Sequence, residues 1–506
     1  MTPWERLLAR LVNARKWPLP SEQKVRDQLE VWAALRENDE GALRRLMKWP
    51  ADRPLMIDNL PEKIASAYGA LLYGRDPRYT PTAEADAERM SQMVEPWAAG
   101  FPAAEETCAS EGEVWWRLSR GHTLQHPSLT WHSRMDVVPL LHGRAVLAVA
   151  FIDQLESQSD PQTTWRHVEL HGDGIVINLL FRGTAQQLGV AAPLTQHPET
   201  TSLLEQWDHG LPMLAGRVVN HWGRRPHVGV SIFSGVWTRM LALNEATTVG
   251  RENMRLTAKK RVVVPASAVQ PRIGDPVVDA ALQSGVGMSV QPRAQFDAGE
   301  DVLVEDPLDV DEGGTRASPY RVLEYSFDAD KLIAWLRYET ETICQRCDLV
   351  PQFIGSGDFG SAESGTALRV RLIPTDNATE SRGRAWDTEQ PVIAQRAALL
   401  EQLSVEQGGF GIPWSQPAGV PQVVRQDPFP VDVTERDRRH AELRTADLLS
   451  IETSLRERYP DAAEVWYAEE RARILADIAS TMPASTPFGV PAPTIDPPVI
   501  SPLPIV

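Results

Sequence analysis

Apolar side chains recur at helical spacing through roughly the first 75 residues, with Val25, Leu29, Trp32 and Leu35 on one face. Asn59-Leu-Pro-Glu-Lys-Ile64 reads as a turn opening another helix, since proline fits a first helical turn. That helix is expected to run through Tyr68, Leu71 and Leu72 and to stop at Gly74, with Pro77 beyond it. From about 112 to 230 the pattern becomes strand-like. Val146 to Ile152 is a short apolar run, and Trp165–Leu170 and Ile175–Phe181 flank Gly172-Asp-Gly174, a hairpin turn. The mixture predicts an α+β body without regular βαβ alternation.

Helical periodicity returns from Ser234 to about Lys260, where Arg251, Arg255 and Lys259 lie four apart and share a face. Arg261-Val-Val-Val-Pro265 ends the helix and opens a strand-rich insertion. Within it, Asp297 to Glu312 carries 8 acidic residues in 16 and no basic one: Asp297, Glu300, Asp301, Glu305, Asp306, Asp309, Asp311 and Glu312. Such a run is a solvated loop or a surface for a basic partner. A return helix follows, capped by Asp328 or Asp330, with Leu332, Trp335, Leu336, Ile343 and Cys347 on its apolar face. Pro351 to Gly360 breaks it, and Ser361 or Ser364 is placed to cap a long third helix. Pro374 and Gly383 are expected to kink or interrupt that helix before it continues through Leu399 and Leu400. A small helical unit is expected over 435–480, and 8 prolines fall in the last 26 residues, an extended tail.

Length (506 residues) allows more than one domain, and 42% hydrophobic with 24% charged residues is ordinary for a folded chain. The net charge of -17 excludes coating of nucleic acid by the whole surface, so any DNA contact must come from local basic patches. Three cysteines (Cys108, Cys344, Cys347) build no disulfide framework and fit a reducing compartment. The N-terminal Met-Thr-Pro-Trp-Glu-Arg lacks the apolar stretch of a signal peptide. The longest apolar run, Ala145 to Ile152, is far too short to span a bilayer, so no membrane partner is expected.

Motifs for chemistry are sparse. Gly355-Ser-Gly-Asp-Phe-Gly360 matches G-x-G-x-x-G, but a helix pattern precedes it where a strand is required, so a hinge loop is the better reading. His167-Val-Glu169 with Cys344-Gln-Arg-Cys347 has the residue types of a zinc deaminase site. The proline expected before the first cysteine is Ile343, and His167 lies in a strand-like stretch. His122 and His126 have neither a third ligand nor H-E-x-x-H, and neither a phosphate-binding G-x-x-x-x-G-K-[ST] loop nor a G-x-S-x-G elbow occurs. No catalytic residue, metal ligand or cofactor is assigned, and an enzyme is not expected; a deaminase-like enzyme remains the alternative.

The order of short segments resembles the portal proteins of tailed double-stranded DNA bacteriophages, of the long-tailed, non-contractile kind. It is carried by Ile57-Asp-Asn-Leu-Pro61, Leu72-Tyr-Gly74, Gly229-Val-Ser-Ile-Phe233, Leu243-Asn-Glu245 and Lys260-Arg-Val-Val-Val-Pro265. Ser364-Gly-Thr-Ala-Leu368 after the Gly-rich loop, Ser450-Ile-Glu-Thr-Ser-Leu455 and Glu469-Glu-Arg-Ala-Arg-Ile474 complete it.

The resemblance implies a wing over 1–230, stem helices over 231–260 and 326–349, and a clip over 261–325 between them. A tunnel loop over 350–364, a long kinked helix returning to the wing over 365–434, a crown over 435–480 and the Pro-rich tail over 481–506 follow. It implies a twelvefold homo-oligomeric ring at the capsid portal vertex of the virion, assembled in the host cytoplasm. Its partners would be double-stranded DNA, held nonspecifically in the channel, the terminase large subunit, a head-completion or adaptor protein, and the major capsid and scaffold proteins. On that frame Arg251, Arg255, Lys259, Lys260 and Arg261 face the DNA tunnel. The tunnel loop comprises Gln352, Phe353, Gly355, Ser356, Gly357, Asp358, Phe359, Gly360 and Ser361, and the acidic residues from Asp297 to Glu312 form the clip's partner-binding segment. Another ring or adaptor protein of the virion is the second alternative.

Overall fold

The computed structural model describes residues 1–14, 16–120, 126–156, 162–220, 228–258, 261–265, 302–305, 321–323, 327–355, 365–409, 413–426, 438, 441–443, 450–458 and 464–481. It divides into Met1–Pro428 and Phe429–Val506.

The larger unit begins with α1 (Pro3–Val12), α2 (Pro20–Glu37), α3 (Glu40–Met47) and α4 (Leu60–Tyr73). Thr2 and Glu5 form a capping box on α1, Asp39 caps α3 through the Ala42 amide, and α4 starts at Leu60-Pro61 and ends at Gly74. Two further helices, α5 (Ala87–Val94) and α6 (Phe101–Glu111), come before the sheets.

The strands are β1 (Arg78–Thr80), β2 (Glu113–Ser119), β3 (Ser128–His132), β4 (Val137–His142), β5 (Ala145–Leu155), β6 (Thr164–Gly172), β7 (Ile175–Thr184), β8 (Gln187–Ala192), β9 (Gln206–Asp208) and β10 (Ala215–Val219). β4 to β8 form an antiparallel meander, with β9 also paired to β7, while β10-β2-β3 form a second sheet. Gly172 pairs with Ile175 across the expected hairpin, and Gly174 takes φ +77°, a conformation open to glycine at no steric cost.

The unbroken apolar run on β5 has a direct cause, because both faces of that strand are covered. Ala148, Ala150 and Ile152 meet Leu7 and Leu11 of α1, whereas Val149 and Phe151 meet Trp115 of β2 and Ala215 of β10. Trp116 points to the other side of β2, into a third cluster with Tyr73, Met93, Trp97, Phe101 and Trp386. Trp386 belongs to a long helix that crosses back to the first half of the chain.

After β10 come α7 (Trp237–Ala258), β11 (Arg261–Pro265), β12 (Val302–Glu305), β13 (Arg321–Leu323), α8 (Ala329–Arg346) and α9 (Gly365–Glu406), with β14 (Gln422–Val424) pairing β1. β11 lies between β12, which it pairs in parallel, and β13, which it pairs antiparallel, so the insertion has its own small sheet. Asp328 caps α8 by accepting from the Lys331 amide at 3.1 Å, as its position before the apolar face predicts.

Of the kink or interruption expected at Pro374 and Gly383, the interruption is corrected: α9 is continuous through Pro374, Gly383 and Pro391. Gly383 serves packing rather than breaking. A Cβ there would collide with the Arg425 guanidinium, which clasps Asp387 one turn on through Nε–Oδ1 at 2.6 Å and Nη2–Oδ2 at 2.9 Å. Around Pro374, the Thr375 hydroxyl accepts from the Val350 amide at 2.9 Å, so the turn is tied to the segment leaving α8.

In the smaller unit α10 (Ile451–Arg458) and α11 (Glu464–Thr481) pack through Leu455 and Tyr467, with Arg456 over the Tyr467 ring at 5.0 Å. Ser450 caps α10 through the Thr453 amide, and Arg471 reaches Glu452 at 3.2 Å.

Candidate functional site

α7 and α8 form an antiparallel hairpin around the insertion. Arg239 meets Glu339 at 2.8 Å near one end, and Gly250 abuts Leu332 near the other, where a Cβ would collide with the leucine. Ascending numbers on α7 thus meet descending numbers on α8, and the glycine lets the two axes approach closely.

The root of the hairpin is locked into the body. Val236 just before α7, Met240, Leu243, Asn244 and Thr248 on it, and Ile343, Cys344, Cys347 and Leu349 at the end of α8 are buried. Thr248 and Asn244 accept from the amides of Met56 and Asp58 at 2.9 and 2.8 Å, which pins the segment before α4 along α7. The Tyr68 hydroxyl donates to the Cys347 carbonyl, and the Arg382 guanidinium of α9 lies 4.2 Å from the Tyr68 ring centroid. Burial raises the Tyr68 hydroxyl well above its ordinary range, so it remains a donor at every working pH.

The other end is bare. From Arg251 to Arg255 only Asn253 is even half-buried, and α8 is largely exposed from Asp330 to Tyr338. Five large apolar side chains stand in solvent there: Val249, Met254, Ile333, Trp335 and Tyr338, the last 62% exposed. Trp335 is therefore corrected from the buried face to an exposed one. The stripe toward α7 is formed by Leu332, Leu336 and Glu339, and Trp335 lies beside it.

Of the basic set, Arg251 and Arg255 are exposed on the bare half of α7, with Arg251 also reaching the Met56 sulfur. Helix α7 ends at Ala258, Arg261 opens β11, and Lys259 and Lys260 lie outside the described residues. In the loop, Gln352 and Phe353 belong to a 3-10 turn (Pro351–Ile354) and Gly355 closes it at φ +73°. Ser356, Gly357, Asp358, Phe359, Gly360 and Ser361 lie outside the described residues, as does Ser364. In the acidic segment Glu305 ends β12, whereas Asp297, Glu300, Asp301, Asp306, Asp309, Asp311 and Glu312 lie outside them. The G-x-G-x-x-G segment follows a helix and a 3-10 turn, so the strand that a dinucleotide site requires does not precede it.

The zinc-site residues are not brought together. His167 Nε2 lies 2.9 Å from Asn178 Oδ1, and Glu169 takes Arg117 at 3.1 Å and His171 at 2.7 Å. Cys344 and Cys347 are buried at the end of α8, where burial pushes both thiols up to about 12; a zinc ligand must be a thiolate. Among the described residues no three His, Cys, Asp or Glu side chains gather where they could hold a metal ion. His126 faces Glu401, which Arg89 and Trp414 also engage. No described helix is long and apolar enough to cross a membrane.

Sequence reading missed what defines the hairpin: the Arg239–Glu339 clasp, the Gly250 approach and the exposure of Trp335 and Tyr338. The two contacts join residues 100 and 82 positions apart and left no local signal, although a glycine within a helical pattern is itself a hint of close approach.

These elements give the chain an α+β body, an antiparallel hairpin that carries a small sheet insertion, and a 42-residue helix that returns to the body. No protein-family model and no curated protein matches the chain. Among solved structures it is similar to the neck of a native GTA particle computed with C12 symmetry, at 12% identity and a TM-score of 0.41, covering 89% of this chain and 97% of that one. It is also similar to the neck of an empty GTA particle computed with C6 symmetry, at 11% identity and a TM-score of 0.41, covering 79% and 89%.

Proposed function

We propose that the chain is the portal subunit of a tailed double-stranded DNA phage or phage-like particle. The observation that carries this reading is the α7–α8 hairpin, locked at its root and apolar on its bare faces. A two-helix hairpin buries one stripe per helix, so Val249, Ile333, Trp335 and Tyr338, exposed among the described residues, are open to a cover from a second copy. A neighbouring hairpin of the same kind supplies it. Repetition around an axis builds a wall with the insertion at one end and the 350–364 loop at the other.

The charge balance suits a channel. Twelve copies carry 12 × -17 = -204 formal charges, so the bulk of the ring repels the duplex. Arg251 and Arg255, with Lys259, Lys260 and Arg261 following, become circles of positive charge that meet phosphates without reading bases. Each contact exchanges readily with counterions, which centres DNA without holding it. The protein performs no chemistry in this role. Translocation energy comes from a terminase ATPase docked at the insertion, and the same face later receives head-completion proteins. The acidic residues from Asp297 to Glu312 offer that face a surface for basic partners. The ring resides in the virion after assembly in the host cytoplasm.

Negative-stain microscopy with mass measurement on the same sample tests the reading. Rings with a central hole and about a dozen subunits are expected, and the Trp335→Ser, Tyr338→Ser double variant should shift the mass toward monomer with little change in melting temperature. A wild-type monomer that stays monomeric alongside capsid proteins would overturn it, and bound zinc in that monomer would restore the deaminase alternative.

A further inference from the structure

A cleft of about 530 Å³ opens between α2, α3 and the turn at Arg134–Asp136, within the larger unit and apart from the hairpin. Its walls have two characters. Val31, Ala34, Ala42, Leu46 and Met135 give an apolar floor, with Leu46 36% exposed at the rim. Around it stand the carboxylates of Asp27, Glu30, Glu37, Asp39 and Asp136 against Arg36 and Arg45, three negative charges in excess, with the buried Glu111 at the base counted apart.

The internal pairing leaves that excess in place. Arg36 is spent on Glu37 at 2.7 Å and on Glu111 at 3.3 Å, sharing the second nitrogen with the hydroxyls of Thr107 and Ser110. Asp39 caps α3, and Asp27 accepts from Gln23 on its own helix. Arg26, behind the wall, faces Asp136 and Glu30 through space, and its Nε and Nη2 are buried without a hydrogen-bond partner. At the base Glu111 is buried, and burial pushes its carboxyl up to about 7.

We propose that this cleft is a docking groove for an arginine- or lysine-bearing segment of a partner protein. The aliphatic stems of such side chains lie on the Val31, Ala42 and Leu46 floor, and their cationic ends meet Asp27, Glu30 and Glu37 at the rim. A neutral apolar peptide would desolvate these carboxylates without return, and an acidic one would be repelled. The inference goes beyond the ring reading and does not depend on it, because the groove is complete within one protomer.

The test uses the full-length protein in its native oligomeric state and a fluorescein-labelled ten-residue peptide of alanine and leucine with three arginines at helical spacing. Fluorescence anisotropy at low salt should show saturable binding. Asp27→Asn, Glu30→Gln and Glu37→Gln combined should weaken it by about tenfold or more, the scale of losing close charge pairs. Glu84→Gln, Glu88→Gln and Glu95→Gln combined remove equal charge from an exposed region elsewhere and should leave binding unchanged. Leu46→Arg, which plugs the rim with a built-in cation, should abolish binding while thermal melting stays at the wild-type value. Absence of wild-type binding, equal weakening by both triple variants, or full binding by Leu46→Arg would each overturn the proposal. So would a change of oligomeric mass in the groove variants, which would make the occupant a second copy.

Discussion

Trp386 and Trp335 stand on neighbouring helices in sequence, yet one is fully buried and the other 39% exposed. Trp386 stacks edge-on against Tyr73 at 5.3 Å and Trp131 at 5.3 Å, and its Nε1 donates to Glu105 at 2.6 Å. Trp335 has solvent beside it and a bare apolar row around it. The same residue type thus closes a core in one place and leaves an invitation in the other. Burial in the body stabilises the fold; exposure on the hairpin costs the free chain solubility, a cost that the proposed ring would offset.

The comparison breaks most sharply at the buried tryptophan. Trp386→Ala should cost about 3–5 kcal/mol, through lost transfer energy and a residual cavity, read as a shift in chemical denaturation. Next comes the ion cluster at Glu113, which holds Arg217 at 2.8 Å and Arg134 at 3.0 Å with all three buried. Glu113→Ala removes a buried carboxylate shared by two guanidiniums, leaving Arg134 with Glu22 and Arg217 with the Arg144 carbonyl, and should cost about 3 kcal/mol, whereas removing Glu339, the partner of the part-exposed Arg239, should cost about 1 kcal/mol or less. Equal losses at the two sites would erase the distinction between the buried body and the hairpin.

A pH series sharpens it further. Burial pushes the Glu105 carboxyl up to about 7, against the pull of Arg382 and the donors on Trp386 and Asn220. Because the folded pKa lies above the unfolded 4.5, its favourable contribution is fully present below pH 4.5 and is lost as pH rises toward 7. Each unit of displacement corresponds to about 1.4 kcal/mol. Glu169 is the opposite case: burial alone would raise it, but His171 and Arg117 hold it at about 2, so its contribution is lost as pH falls from 4.5 toward 2. Wild-type stability minus that of Glu105→Gln should therefore decline between pH 4.5 and 7, while the same difference for Glu169→Gln should decline only in the acid range. The smallest effect is expected at the tip, where Trp335→Ala should change protomer stability by about 0.5 kcal/mol or less while weakening self-association.

Much of this organisation was legible. The apolar spacing of Val25 to Leu35, the Gly172-Asp-Gly174 turn, the Asp328 cap and the strand at Arg261–Pro265 each carry their signal within a few residues. What escaped had its cause elsewhere in the chain. Pro374 and Gly383 suggested a kinked or interrupted helix, but the groups that pack there, Val350 and Arg425, lie 24 and 42 residues away. Helix α6 gave little pattern because it is buried nearly all round, with Phe101, Ala104, Glu105, Cys108, Ala109, Ser110 and Glu111 all inside. For the candidate site, the basic helix and its return partner were readable, whereas the rotation of Trp335 away from α7 depends on which residue of α7 meets Leu332.

The position of α9 sets an order on the making of the chain. Tyr73, Phe101, Trp116 and Glu105 are synthesised long before Trp386, which covers all of them, and between lie the hairpin and its insertion. The meander from β4 to β8 can close on neighbours in sequence and form early, whereas the body's largest aromatic cluster stays open until a helix about 280 residues downstream arrives. A nascent or truncated chain that ends within the hairpin therefore exposes an unfinished core. Only a chain that already carries its whole hairpin and insertion can close this aromatic core.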